Sequence, residues 1–434
     1  MRLELAEFPV SEIRLGAGFR YRDRILELDQ EELLALVLND KRIEHASLAT
    51  AVPGDRTRVT GIRDIVEPRV KVGGKGQVFP GILGPVTDVG DGRTHRLSGM
   101  AVVASAEYEG KIRAGTAAER SGILDMWGAG AEASRFSSLL MLVVVLRLNK
   151  GLSEIEAHAA IQRSELEVAK RLAEATIGLQ PERMEEYDLS QPTAGLTGVV
   201  LVQGCRTDSQ HVHSGVSYYG VCIRESLATF IHPNELLDGA VAVNTTQAMA
   251  YYPTTWDWQN HPLVLGLYRE HGRRLNFAGI VLERIRYETF QAKEMIARST
   301  AQLVATLKAD AALFGWLGSG NPFVEVMLAI RACEERGIKT ALVTYEYGGK
   351  DGVDSPLLYY TNEANAVVST GSRDRWIDLA APDRVIGPYE AIAILNYPGA
   401  PSVPAKGPLA LDARDLIIGG VDNWGAQSWT CRAY

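Results

Sequence analysis

Ala311-Ala312-Leu313-Phe314-Gly315-Trp316, followed closely by Gly318-Ser319-Gly320-Asn321-Pro322, is the stretch on which the fold reading turns. A short apolar run bounded by glycines reads as a buried strand, and the glycines with Asn321-Pro322 open a helix that runs to Arg336 and stops at Gly337. Thr340-Ala341-Leu342-Val343-Thr344 then supplies a second apolar strand. A strand, a helix and a strand in this order put the strands parallel, with the helix packed on one face. The unit predicts a Rossmann-like parallel sheet in the C-terminal half.

Two ligand sites follow from that unit. The backbone N–H groups of Gly318, Ser319 and Gly320 open a helix and can hold a carboxylate or phosphate, although a plain strand-to-helix turn explains the glycines equally well. Tyr345-Glu346-Tyr347-Gly348-Gly349-Lys350-Asp351-Gly352 leaves the next strand at its carboxyl end, where open α/β sheets bind ligands. Lys350 there can pair with a carboxylate or stand as a solvated loop charge. Around the unit, Tyr287 to Lys308 reads as an amphipathic helix and Asn365 to Ser369 as a further strand. From Pro398 onward the chain is rich in proline and glycine and is expected to wrap the surface or a neighbour.

Upstream, the character changes. Residues 1–103 are rich in valine, glycine and charge, with short alternating runs at Thr57-Arg58-Val59-Thr60 and Arg69-Val70-Lys71-Val72, and read as a β-rich part. Gly73-Gly74-Lys75-Gly76 lacks the ending of a phosphate-binding loop and reads as a hairpin turn; His95 reads as a hydrogen-bonded loop residue. Leu139 to Leu146 is a buried strand, far too short to span a bilayer. Ser153 and Glu156 form a capping box for a helix to about Ala175, whose charged face is expected to be solvated. The strand Gly198 to Gln203 then delivers Cys205 and His211-Val212-His213, soft and borderline ligands that suggest a zinc or iron site without an evident fourth ligand.

The whole chain sets limits on these readings. A length of 434 residues supports two or three domains, and a net charge of −8 with no long basic run argues against nucleic acid as a partner. Met1-Arg2-Leu3-Glu4-Leu5 alternates like a strand and has no signal-peptide core, so a cytoplasmic protein with no membrane partner is expected. Four widely spaced cysteines without a CxxC pair fit reduced thiols.

Between Asp238 and Pro262 lies a stretch with chemistry of its own. Asn244 is followed by Thr245 and Thr246, and in a strained turn a threonine hydroxyl can attack the preceding carbonyl to give an ester, although the same residues commonly end a strand. Tyr251, Tyr252, Trp256 and Trp258 follow. They can bound a pocket for an amine or quaternary ammonium, with Asp257 adding charge, but hydrophobic packing is the better-supported reading.

Seven segments, in one order, carry a resemblance. They are Glu67-Pro68-Arg69-Val70-Lys71-Val72, Phe79-Pro80-Gly81, Gly92-Arg93-Thr94-His95, Gly122-Ile123-Leu124-Asp125-Met126, Asp238-Gly239-Ala240, Lys339-Thr340-Ala341-Leu342-Val343-Thr344 and Glu363-Ala364-Asn365-Ala366-Val367-Val368. With them the chain resembles, from end to end, the pro-protein subunit of component B of the glycine, sarcosine and betaine reductases, and less closely that of D-proline reductase. The resemblance implies a multi-subunit oxidoreductase that acts on C–N bonds. Its precursor cuts itself before an internal cysteine, which becomes a pyruvoyl group that captures the substrate amine as a Schiff base, and a second component-B subunit with a reactive cysteine or selenocysteine cleaves the bond reductively. No cysteine lies between Cys222 and Cys333, and the family's cleavage position falls at Thr245 or Thr246. Threonine can follow the same route to a ketoacyl group, as a weaker nucleophile. The resemblance further implies substrates that carry carboxylates, which suits the turn at Gly318, Ser319 and Gly320; it matches Glu346, Lys350 and Asp351 to charged residues of the family, and it implies a polar, histidine-containing loop in which His211 or His213 acts as general acid or base near neutral pH.

The expected architecture is therefore α/β: a β-rich part over 1–103, a mixed α/β region over 104–262 ending in the cleavage stretch, and a Rossmann-like domain with a tail over 263–434. Two rivals to reductive amine cleavage are an uncleaved homologue with a metal-dependent activity through Cys205, His211 and His213, and a non-catalytic scaffold or binding subunit.

Overall fold

A computed structural model describes residues 1–107, 122–207, 215–244, 252–317, 320–346, 359–372, 374, 376–393, 402–411 and 416–426. Three sheets carry the fold. In the first, the strands run Arg183–Asp188, Arg2–Pro9, Gly92–Ser98, Arg69–Lys71. The second runs Gly122–Asp125, Thr57–Val66, Met100–Glu107, Leu140–Leu148, Ile43–Ala51, with Arg384–Ile386 also paired to Thr57–Val66. Every residue of Thr57–Val66 is buried, because Val59, Ile62 and Ile65 face one core, Val66 faces another, and Arg58 and Asp64 face buried partners. The run first recognised as Leu139 to Leu146 is the central strand Leu140–Leu148 of this sheet.

The capping box at Ser153 is present and starts the helix Glu154–Glu174. Its charged face is not wholly solvated, contrary to expectation. The helix lies between the first two sheets, so His158, Ser164 and Glu165 are buried along with Ile161, Leu166 and Leu172. A capping signal fixes where a helix begins, but its burial on two sides depends on partners distant in sequence.

The third sheet is the expected parallel one. Its order is Thr229–Ile231, Asn276–Ile285, Gly198–Arg206, Ala311–Gly315, Lys339–Glu346, Val367–Ser372, and only the first strand is antiparallel to its neighbour. The helices Phe290–Thr306 and Asn321–Glu334 pack on it. The sheets also disregard sequence divisions: Met100–Glu107 runs across position 103, and the third sheet takes its central strand from before position 262. The tail is a correction, for its described residues enter the cores rather than wrap the surface. Leu409, Leu411 and Ile417 are buried in one cluster and Trp424 in another, since apolar residues spaced among prolines can still fill the edges of packed layers. Among the described residues no helix is long and apolar enough to cross a membrane.

Candidate functional site

Parallel strands end together. Arg206, Gly315 and Glu346 close the three central strands of the third sheet, so they stand at one edge. Beside this edge is a small sheet in which Val241–Asn244 pairs antiparallel with Gly215–Tyr218, and the described chain there stops at Asn244.

The strand Val241–Asn244 is reached through Asp238-Gly239-Ala240, and Asp238 is wholly buried. Its carboxylate pairs with the Lys71 ammonium and accepts from the Gly90 N–H at 2.7 Å and the Thr94 hydroxyl at 2.5 Å. Gly239 follows with φ +88°, and a Cβ there would stand 3.3 Å from the Phe79 ring and backbone. Gly81 approaches more closely still, since its Cβ would lie 2.0 Å from the Tyr219 carbonyl. Arg69, also buried, donates to Glu67 at 2.7 Å, to the Leu237 and Gln259 carbonyls and to Asn260 Oδ1. The hydroxyls of Tyr218 and Tyr219 both donate to Glu235, at 2.6 and 3.2 Å. The recurring segments Glu67 to Val72, Phe79 to Gly81, Gly92 to His95 and Asp238 to Ala240 thus converge on the turn that aims Val241–Asn244. A buried ion pair is retained only where its remaining hydrogen bonds are satisfied, as they are here.

The end of that strand is held on both sides. The Val243 N–H donates to the Thr255 hydroxyl at 3.0 Å, and the Val243 carbonyl accepts from Gln162 at 2.6 Å. Thr255 in turn donates through its N–H (2.9 Å) and hydroxyl (2.5 Å) to Asp64. Burial pushes the Asp64 carboxyl up to about 7, against three hydrogen bonds that favour its charged form. Neighbouring Glu165 is pushed well above the usual carboxylate range, by burial first and by Asp64 second.

Aromatic residues close the edge. Trp258 is fully buried, Trp424 of the tail meets it edge-on at 5.0 Å, and His261 stacks on Trp424 at 3.9 Å. His261 Nε2 lies 2.9 Å from Gln203 Oε1, and burial drives its pKa down to about 3, so the ring is neutral. Because the Gln203 amide donates to the Gly204 carbonyl, its oxygen faces the histidine and the proton sits on Nε2. Arg206 lies over Tyr252 at 4.7 Å, and Tyr252 packs with Tyr345 and Val421.

Of the residues singled out from sequence, Asn244 ends its strand half-buried, Glu346 ends the Lys339–Glu346 strand half-buried, and Gly320 precedes the Asn321–Glu334 helix with φ +63°. Trp256 packs edge-on against Phe136 at 5.5 Å, and Trp258 is core, which is the packing reading of the aromatic run. Cys205 is fully buried and its thiol is pushed up strongly, by burial first and then by Glu283. Thr245, Thr246, His211, His213, Gly318, Ser319, Lys350 and Asp351 lie outside the described residues, as does Tyr251. Among the described residues no group of histidine, cysteine and carboxylate side chains is arranged for a metal. Gln203, Asp64, Glu165, Thr255, His261 and Trp424 were missed. Thr255 and His261 lie in the Asp238 to Pro262 stretch already singled out and Gln203 ends a strand already read, whereas Asp64, Glu165 and Trp424 carried no local signal.

Comparison with known proteins agrees with the motif reading. The betaine reductase complex component B subunit alpha of Peptoclostridium acidaminophilum is 32% identical over 99% of this chain and 99% of its own. The sarcosine reductase complex component B subunit alpha of that organism is 29% identical, and its glycine reductase complex component B subunits alpha and beta 28% identical, each over 100% of both chains. No solved structure matches the chain. The profile of the glycine/sarcosine/betaine reductase component B subunits matches residues 1–432. The chain belongs to the family of glycine/sarcosine/betaine reductase component B subunits.

Proposed function

We propose that this chain is the amine-binding subunit of a component-B-type reductase, acting on a small amine or amino acid whose C–N bond is cleaved reductively. The observation that carries the reading is the convergence of four family segments on the turn that delivers Val241–Asn244 to the edge of the parallel sheet. That much effort to aim a strand end is what chemistry at the next residues requires.

In this reading the ketoacyl group comes from Thr245 or Thr246, where the resemblance puts the family's cleavage position and where this chain has no cysteine. The described surroundings fit such an origin, because both polar atoms of the Val243 backbone are tied down one residue before Asn244. When formed, the group supplies a carbonyl that bonds a substrate amine. In this reading the N–H groups of Gly318, Ser319 and Gly320 and the Lys350 ammonium hold the substrate carboxylate. Glu346 and Asp351 are the candidates for complementing its charge, and His211 or His213 for moving a proton.

Two of the four cysteines are poorly placed to supply a thiol for the reductive step. Cys205 and Cys333 are buried, and burial pushes the Cys333 thiol up to about 12, where no thiolate is present near neutral pH. This supports a second component-B-like subunit bearing a reactive cysteine or selenocysteine, within an oligomeric complex.

The test is the intact mass of the purified protein under denaturing conditions, with a carbonyl-specific reagent in a parallel sample. Two fragments meeting at Thr245 or Thr246, the C-terminal one labelled, is the expected result. A single unlabelled chain of 47.3 kDa sinks the ketoacyl reading.

A further inference from the structure

The strongest unexplained feature outside the strand ends is the pair of buried carboxyls, Asp64 and Glu165. Both are essentially inaccessible, at 1% and 0% exposure. Among the described residues no arginine or lysine pairs with either. Glu165 accepts from the Ala104 N–H at 3.2 Å through one oxygen, and its other oxygen has no partner. Asp64 stands beside Ala104 in the strand register and receives three donors, from Ile65, Thr255 N–H and the Thr255 hydroxyl. The other charge acting on Asp64 is Asp257 of the Thr255–Gln259 helix, itself paired with Arg135 at 2.7 Å. Two carboxylates without a cation cannot both ionise in such a place, so the pair keeps a proton, on Glu165.

An acid kept neutral in a core costs stability that apolar residues would not, and such groups are commonly retained for a task. Here the pair connects to one place. Asp64 holds the Thr255 hydroxyl, and that hydroxyl is the acceptor for the Val243 N–H. Glu165 lies one helical turn from Gln162, which holds the Val243 carbonyl. One helix and one carboxyl pair therefore fix both faces of the last full peptide before Asn244.

We propose that Asp64, Glu165 and Thr255 form a pH-sensitive latch on the end of the Val241–Asn244 strand, and are positioning residues for the chemistry of the following residues. The latch concerns described residues only; its role in chemistry rests on the function proposed above. Holding the single proton keeps Asp64 oriented toward Thr255. Losing it puts two buried anions side by side, and the cheapest relief is movement of the Thr255–Gln259 helix away from Asp64, which frees Val243.

The experiment is hydrogen exchange with mass readout on the full-length protein between pH 6 and pH 9, for wild type, Glu165→Gln, Asp64→Asn and Thr255→Val, with chain cleavage followed on the same samples. Protection factors, which remove the intrinsic pH dependence, are compared for the peptide covering Val243 and Asn244. The strand Gly198–Arg206 serves as control for global folding. Expected is a roughly tenfold or greater fall in wild-type protection at Val243 as pH rises, its disappearance in Glu165→Gln, and low protection at every pH in Thr255→Val with the control strand unchanged. A wild-type protection factor independent of pH, or a Thr255→Val protein protected like wild type, overturns the latch. If the carboxyl variants fail to fold, the wild-type pH profile and Thr255→Val still decide. A latch that behaves as expected in a chain that never cleaves refutes the ketoacyl reading alone. Cleavage at one rate in all four proteins refutes the positioning role alone.

Discussion

Replacing Asp238 with alanine tests the turn that aims the candidate site. The substitution removes the carboxylate that faces Lys71, whose side chain is only 4% exposed, and so leaves a buried ammonium without a counter-charge. Breaking one partner of a buried pair costs about 3–5 kcal/mol. The Gly90 N–H also loses its acceptor, at about 1–3 kcal/mol for a buried orphaned donor, so a total near 5 kcal/mol is expected. With an unfolding entropy of about 2.1 cal/mol/K per residue, a chain of 434 residues converts this to a drop of about 5 °C in Tm. Asp238→Asn keeps the shape and an acceptor for Thr94 and should lose about half as much. Urea and thermal unfolding of Asp238→Ala, Lys71→Met and the double variant supply the cycle, in which the double variant should recover about 2–3 kcal/mol relative to the sum of the singles. Additive losses, or a loss under 1 kcal/mol in Asp238→Ala, would refute the claim that this pair is a buried, mutually dependent unit.

Arg58 spends all its donors internally: two on Asp125 at 2.7 and 2.8 Å and three on the Ala405, Gly407 and Ala380 carbonyls. Arg58→Met should cost about 3–5 kcal/mol and expose 380–407 to limited proteolysis well before global unfolding. Burial raises Glu283 to about 8 and Asp64 to about 7. Both folded values exceed the unfolded ones near 4, so the folded state binds more protons between about pH 4 and pH 8 and stability falls as pH rises through that window. Urea midpoints at pH 5 and pH 9 should show the decline, and Glu283→Gln should flatten its upper part; a midpoint that rises with pH would contradict the assignment. Cys205 and Cys333, buried with raised thiols, should resist alkylation in the native protein and react at once in urea, read residue by residue by mass spectrometry. Trp424→Ala removes the ring between Trp258 and His261 and should cost about 3–5 kcal/mol, seen as a lower urea midpoint.

Much of the architecture was legible because its signals are local. The Leu140–Leu148 strand, the capped helix from Glu154 and the Ala311–Glu346 strand–helix–strand unit each announce themselves within about twenty residues, by apolar runs, a capping pair and glycine stops. The family was legible for a different reason: its segments hold residues whose identity is fixed by buried partners, such as Asp238 and Arg69. Their meaning was not. Nothing near Glu165 in sequence says that its turn of helix will face Asp64, 101 positions away, rather than water.

By itself, then, the sequence determined which stretches are strands and helices, that the C-terminal sheet is parallel, and which family the segments belong to, since periodicity, caps and motifs act over a few residues. Only tertiary structure decided which ionisable groups are denied water. Asp64, Glu165, Glu283 and His261 owe their protonation states to burial among elements distant in sequence. Tertiary structure alone also brought the proline-rich tail, through Trp424, onto the edge of the parallel sheet. Desolvation is a property of a place in the fold, and a place exists only once the chain has closed around it.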